Sequence, residues 1–68
     1  MKYLVFKSGK VKIFPENISH DTQGNKKNTK SAGYFKMKNG KVETYAKSYS
    51  LNIPSRKKDA KLIEKKLK

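Results

Sequence analysis

The chain has 68 residues, 18 of them basic against 5 acidic, with a formal net charge of +13, one histidine and no cysteine. A chain this short forms one domain, 1–68, and buries only about 60% of its unfolded surface, so its core is marginal. Without cysteine it has neither disulfides nor thiolate zinc sites, and one histidine with five carboxylates points to no metal or cofactor. Oligomerisation is the remaining common way to enlarge such a core, so a homo-oligomer, a dimer or larger, is expected.

The charge destabilises a compact chain and attracts polyanions. Nucleic acid, a nucleotide or an acidic protein surface are the matching partners. Nearly all the basic residues are lysine, however, and a lysine-rich proteome that merely solvates its surfaces accounts for the same composition. No apolar run approaches the ~20 residues that span a membrane. Tyr3-Leu4-Val5-Phe6 is too short for a signal-peptide core. A cytoplasmic protein without a membrane partner is expected, in the host cytoplasm if the source is viral.

In chain order, residues 2–7 read as a strand, and Ser8-Gly9 as a tight turn. Residues 10–14 alternate, with Val11 and Ile13 on one face, and Pro15 ends the strand. Residues 16–30 form a loop rich in turn formers, anchored by Ile18. Its second half is basic through Lys26, Lys27 and Lys30 and is expected to be mobile. Residues 31–38 form a third strand. Asn39-Gly40 supplies the two positive-φ positions of a type I′ hairpin turn. Residues 41–51 form a fourth strand in which neither face is plainly apolar, which points to a bulge or a sheet buried on both sides. The two hairpins share the pattern Y-x-x-x-K-[S/N]-G-K-V-x-x-[F/Y], from Tyr3 to Phe14 and from Tyr34 to Tyr45. An internal duplication explains it, as does the common chemistry of Gly-Lys turns.

Residues 55–67 read as a helix. Ser55 is its N-cap, and Ala60, Leu62, Ile63 and Leu67 make its apolar stripe. Lys61, Lys65, Lys66 and Lys68 fall on the solvated side. The fold class is therefore α+β: two antiparallel hairpins forming a four-stranded sheet, with one C-terminal helix (ββββα).

The start of that helix breaks a local rule. Helix N-termini favour acids, yet Arg56, Lys57 and Lys58 fill the first turn and Asp59 comes one position late for a capping box. An anion docked there resolves the conflict. Ser48, Ser50 and Ser55 are short donors, and Arg56 is a fork suited to phosphate. The competing reading makes Ser48 and Ser50 ordinary strand residues and pairs Arg56 with Asp59. Aromatics interleave with lysines at Tyr34-Phe35-Lys36 and Tyr45-Ala46-Lys47-Ser48-Tyr49. Such a sheet suits single-stranded nucleic acid, whose bases stack on aromatic rings while cations follow the backbone. Tyr34 and Tyr49 are the stacking candidates, and Phe35 and Tyr45 are assigned to the core. His20 beside Asp21 suits a turn better than catalysis. With no paired carboxylates, nucleophile motif or phosphate-binding glycine loop, the chain does not read as an enzyme.

Ile18-Ser19-His20, Ser31-Ala32-Gly33-Tyr34, Ser48-Tyr49-Ser50-Leu51 and Ser55-Arg56 with Asp59, in that order, resemble a signature of small phage and bacterial proteins without an assigned function. The resemblance implies that His20, Ser48, Ser50, Ser55, Arg56 and Asp59 form one polar site, and it suggests a viral origin. The ββββα order is similar to that of the transcriptional positive-cofactor family, whose dimeric domains bind single-stranded DNA. The leading expectation is a non-enzymatic protein that binds nucleic acid, preferably single strands. The alternative is a phage counter-defence protein that sequesters a nucleotide signal or inhibits a nucleic-acid-guided nuclease.

Overall fold

A computed structural model describes residues 1–67, so Lys68 lies outside the described residues. The strands are β1 (Lys2–Phe6), β2 (Val11–Phe14), β3 (Thr29–Lys38), β4 (Lys41–Tyr45), β5 (Lys47–Ser48) and β6 (Ile53–Pro54). A 3₁₀ turn covers His20–Thr22, and one helix, α1, covers Asp59–Leu67. The main sheet is antiparallel in the order β2-β1-β3-β4, while β5 and β6 pair as a separate small hairpin. The expected ββββα architecture is present.

Period-two alternation sends each strand's side chains to both faces, and both faces are covered. Tyr3, Val5, Phe35 and Val42 pack against Ile63 of α1. Leu4, Phe14 and Ala32 pack on the other side against Leu51, with Ile18 and Ile53 closing the edges. The helix therefore covers one face, and the 15–28 loop with the β5–β6 hairpin covers the other. This is why the fourth segment showed no single apolar face.

The two main hairpins are not equivalent in register. Asn39 and Gly40 take φ of 53° and 77°, and Lys38 pairs directly with Lys41. The first hairpin instead bonds Phe6 N–H to the Lys10 carbonyl, with Gly9 at φ 96°. That is a three-residue loop ending in a left-handed residue. The extra residue moves the register by one, and a one-residue slip exchanges the faces. Tyr3 is opposite Ile13 and lies in the core under α1, whereas Tyr34 is opposite Tyr45 on the far face. The shared sequence pattern thus does not produce superposable hairpins.

Three boundaries differ from expectation. The strand expected over 41–51 stops at Tyr45 because Ala46 takes φ 59°, and the chain turns into β5. The helix expected from 55 begins at Asp59. The basic loop is folded locally: Asn25 and Asn28 exchange hydrogen bonds, each backbone N–H donating to the other's side-chain oxygen at 2.9 and 3.0 Å. This clamp presents Lys26 and Lys27 at its tip. Lys30 lies where the β1–β3 register shifts, with Val5 opposite Ser31 but Phe6 opposite Thr29, so it is the unpaired residue of a bulge.

Candidate nucleic-acid interface

At the start of α1, Asp59 is the anion that the sequence seemed to lack. Its carboxylate is fully buried, and Oδ2 accepts from the Tyr3 hydroxyl at 2.7 Å and from the Arg56 backbone N–H at 3.1 Å. Oδ1 accepts from Arg56 Nε at 2.9 Å and lies 2.7 Å from Arg56 Nη2. An acid that reaches back three residues to a backbone N–H is the N3 half of a capping box. The Asp59 N–H bonds the Arg56 carbonyl and the Ala60 N–H the Lys57 carbonyl, a 3₁₀-type first turn ahead of α1. Arg56, not Ser55, holds the N-cap place of that turn, with Asp59 in register. Burial alone pushes the Asp59 carboxyl up, but the hydrogen bonds from the Arg56 side chain and Tyr3 outweigh it and hold it below its ordinary value. Burial, then the Asp59 hydrogen bond, raises the Tyr3 hydroxyl's pKa.

The serines are also engaged. Ser48 is buried, and its Oγ accepts from the Leu51 N–H across the β5–β6 loop. Ser50 Oγ accepts from the Asp21 N–H at 3.3 Å. Ser55 Oγ donates to the Ala46 carbonyl at 2.6 Å. Lys57 and Lys58 are exposed in the first turn. The six residues of the sequence-derived phosphate site thus do not present free donors together: Ser48 and Ser50 bond within and below the β5–β6 hairpin, Ser55 bonds the Ala46 carbonyl, and Arg56 pairs with Asp59. Arg56 keeps the pairing with Asp59 that the competing reading assigned to it.

His20 and Asp59 are separated by the sheet. His20 is 2% exposed, its Nε2 is 2.9 Å from the Gly33 carbonyl, and its ring meets Phe14 and Tyr34 edge-on at 5.3 and 5.8 Å. Donation to that carbonyl selects the Nε2–H tautomer of the neutral ring. Burial lowers the imidazole pKa, aided by the Lys2 charge, while the Gly33 bond and Asp21 oppose it. His20 therefore serves as a packed spacer over one row of the sheet.

That row is the informative feature. Phe14, Lys2, Tyr34 and Tyr45 lie side by side across all four strands on the face away from α1. The loop and His20 cover its β2 end. At the β4 end, Tyr34 and Tyr45 stack with centroids 5.7 Å apart and planes 28° from parallel. Lys2 Nζ sits 5.6 Å from the Tyr34 centroid, and Lys36 Nζ 5.5 Å from that of Tyr45. Such contacts are favourable because the ring face carries partial negative charge. Lys36, Lys38 and Lys41 are exposed along the same ribbon. Tyr45, assigned to the core from sequence, is 40% exposed, whereas Phe35 is buried as expected. Its cross-strand partner was legible, since a two-residue turn at Asn39-Gly40 sets Tyr34 opposite Tyr45. Tyr49 is 74% exposed in the β5–β6 loop, with Lys47 Nζ 5.4 Å from its centroid.

Fold and surface together define a small α+β protein with a basic, aromatic sheet face. Compared with known proteins, the chain matches no family model, no curated protein and no solved structure.

Proposed function

We propose that this protein binds single-stranded nucleic acid on the β3–β4 ribbon, without catalysing a reaction on it. The observation that carries the reading is the Tyr34–Tyr45 stack, half-buried at Tyr34 and exposed at Tyr45, with Lys36 over its outer ring. A base stacks on Tyr45 by displacing the Lys36 ammonium to a phosphate, exchanging a cation–π contact for a base–ring contact and an ion pair. Stacking of this kind contributes ~1–3 kcal/mol per base and tolerates any sequence. Lys38 and Lys41 continue the cationic track, and Tyr49 offers a second exposed ring. The nucleotide-pocket alternative needs hydroxyls and a guanidinium open to ligand at the helix start. Ser48, Ser50, Ser55 and Arg56 are each engaged within the chain.

The test is fluorescence anisotropy with labelled oligothymidylate and duplex DNA over a salt series. Single-strand affinity should exceed duplex affinity and fall steeply with salt, because each neutralised phosphate releases counterions. Tyr45→Ala should weaken binding roughly ten-fold, the stacking contribution of one base, while leaving the melting temperature close to that of the parent. Affinity unchanged by salt and by Tyr45→Ala would refute the proposal.

A further inference from the structure

The main sheet has two edges, and they are treated differently. At β4, alternation turns Val42 outward, and the Glu64 carboxylate accepts its N–H at 3.2 Å. Thr44, the other outward residue, donates its hydroxyl to the Arg56 carbonyl at 2.9 Å, so the approach to α1 closes over this edge. At β2 the bond from Phe6 N–H to the Lys10 carbonyl sets the phase. Lys10, Lys12 and Phe14 address β1, and Val11 and Ile13 turn their N–H and C=O groups away from it. No hydrogen bond within the described residues uses either N–H.

Beside that open edge runs a groove of about 650 Å³. Gly9, Lys10 and Val11 line one side, and Leu62, Lys65 and Lys66 of α1 line the other. Val11 and Leu62 are its apolar side chains, its charged lining residues are all lysine, and no carboxylate among the described residues lines it. Lysines on an edge strand repel a second copy of the same chain, and a net charge of +13 adds to that repulsion. The combination suits an extended segment that brings carboxylates to the lysines, apolar side chains to Val11 and Leu62 and a backbone to the edge.

We propose that the β2 edge and this groove form a docking surface for an acidic, extended segment of a partner protein, taken up by strand addition. The segment pairs with Val11 and Ile13, places alternate apolar side chains over Val11 and Leu62 on the α1 face, and sets the intervening carboxylates beside Lys10 and Lys12 on the other face. Main-chain bonds provide the affinity and alternate side chains the selectivity. This surface is separate from the aromatic ribbon, so an acidic partner and a nucleic acid have different addresses on the molecule.

The experiment uses the whole chain, isotope-labelled, and the synthetic peptide Glu-Val-Glu-Val-Glu-Val. Adding it should shift the Val11, Ile13 and Leu62 amide resonances and slow hydrogen exchange at Val11 and Ile13. Replacing the peptide's glutamates by glutamine, or introducing Lys10→Glu with Lys12→Glu, should weaken binding roughly ten-fold by removing the charge pairing. Should the double variant fail to fold, the glutamine peptide still decides. The proposal is overturned if the peptide leaves β2 unshifted, or if a peptide of glutamate alone binds equally well. Shifts of β2 produced by oligothymidylate, or by raising the protein concentration without peptide, would equally overturn it.

Discussion

Arg56 and Asp59, three residues apart, are joined by both backbone and side chain. The Asp59 carboxylate accepts the Arg56 main-chain N–H at 3.1 Å and its Nε–H at 2.9 Å, with Nη2 at 2.7 Å. The aspartate is wholly buried and the arginine side chain 25% exposed. One pair therefore caps the helix, neutralises a core charge and, through the Tyr3 hydroxyl, ties α1 to β1. Removing one member leaves the other without its partner, and breaking a buried pair costs about 3–5 kcal/mol. Arg56→Ala and Asp59→Ala should each fall near that range in urea unfolding, with the arginine variant lower because water reaches its site. Tyr3→Phe should cost less, about 1.5–3 kcal/mol for a hydrogen bond to a charged group. If Arg56→Ala proved as stable as the parent, the pair would not be what anchors the helix.

Acid should destabilise the fold in two windows. The folded-state pKa of His20 lies below its ordinary 6.5, so the unfolded chain takes up the proton first. The stability this group contributes is complete above about pH 6.5 and declines as pH falls from there through the lower folded value. Asp59 follows the same sign from a lower start: its contribution is present above its ordinary 3.8 and is lost as pH falls through its depressed folded value. Thermal melts carried from pH 8 down to about pH 1.5 should show both declines, the second below Asp59's ordinary value. In His20→Gln the first should vanish and the second persist.

Gly33 is required by a close approach. A Cβ there would lie 2.8 Å from Ser55 Cβ and 3.1 Å from the Tyr45 carbonyl, where the chain crosses the sheet on its way to α1. Ser55 is held by its side-chain and backbone bonds to the Ala46 carbonyl, and the Tyr45 neighbour is backbone, so neither yields easily. Gly33→Ala should cost about 1–3 kcal/mol, the usual range for overpacking. Gly40→Ala, where a Cβ meets open space, should be limited to the strain of its positive φ. Equal melting temperatures for Gly33→Ala and the parent would remove this account of the crossing.

Much of the fold was readable from local patterns. Asn39-Gly40 dictated its hairpin because few other residues accept two successive positive φ angles. The alternation of Val11 and Ile13, and the stripe of Ala60, Leu62 and Ile63, marked surfaces that now face each other across the helix-side core. The site was less legible. Reading Ser55 as the N-cap moved every helix position by one and made Asp59 look misplaced. Assigning both Phe35 and Tyr45 to the core, as a small domain's need for aromatics suggests, overlooked that pairing with Tyr34 turns Tyr45 to the face opposite Phe35, and nothing local announces that Ala46 takes a left-handed φ and ends the strand.

What the amino-acid sequence by itself determined is the element order, the surplus of positive charge and the pairing of Tyr34 with Tyr45 across a two-residue turn. These depend on neighbours in the chain, whose preferences act locally. Only the tertiary structure decided that Arg56 belongs to Asp59, that His20 and Asp59 lie on opposite faces of one sheet, and that Tyr45 rather than Phe35 faces solvent. Each of those outcomes turns on a one-residue phase, at the helix cap or in a strand register. Packing sets that phase by choosing which face of the chain is buried.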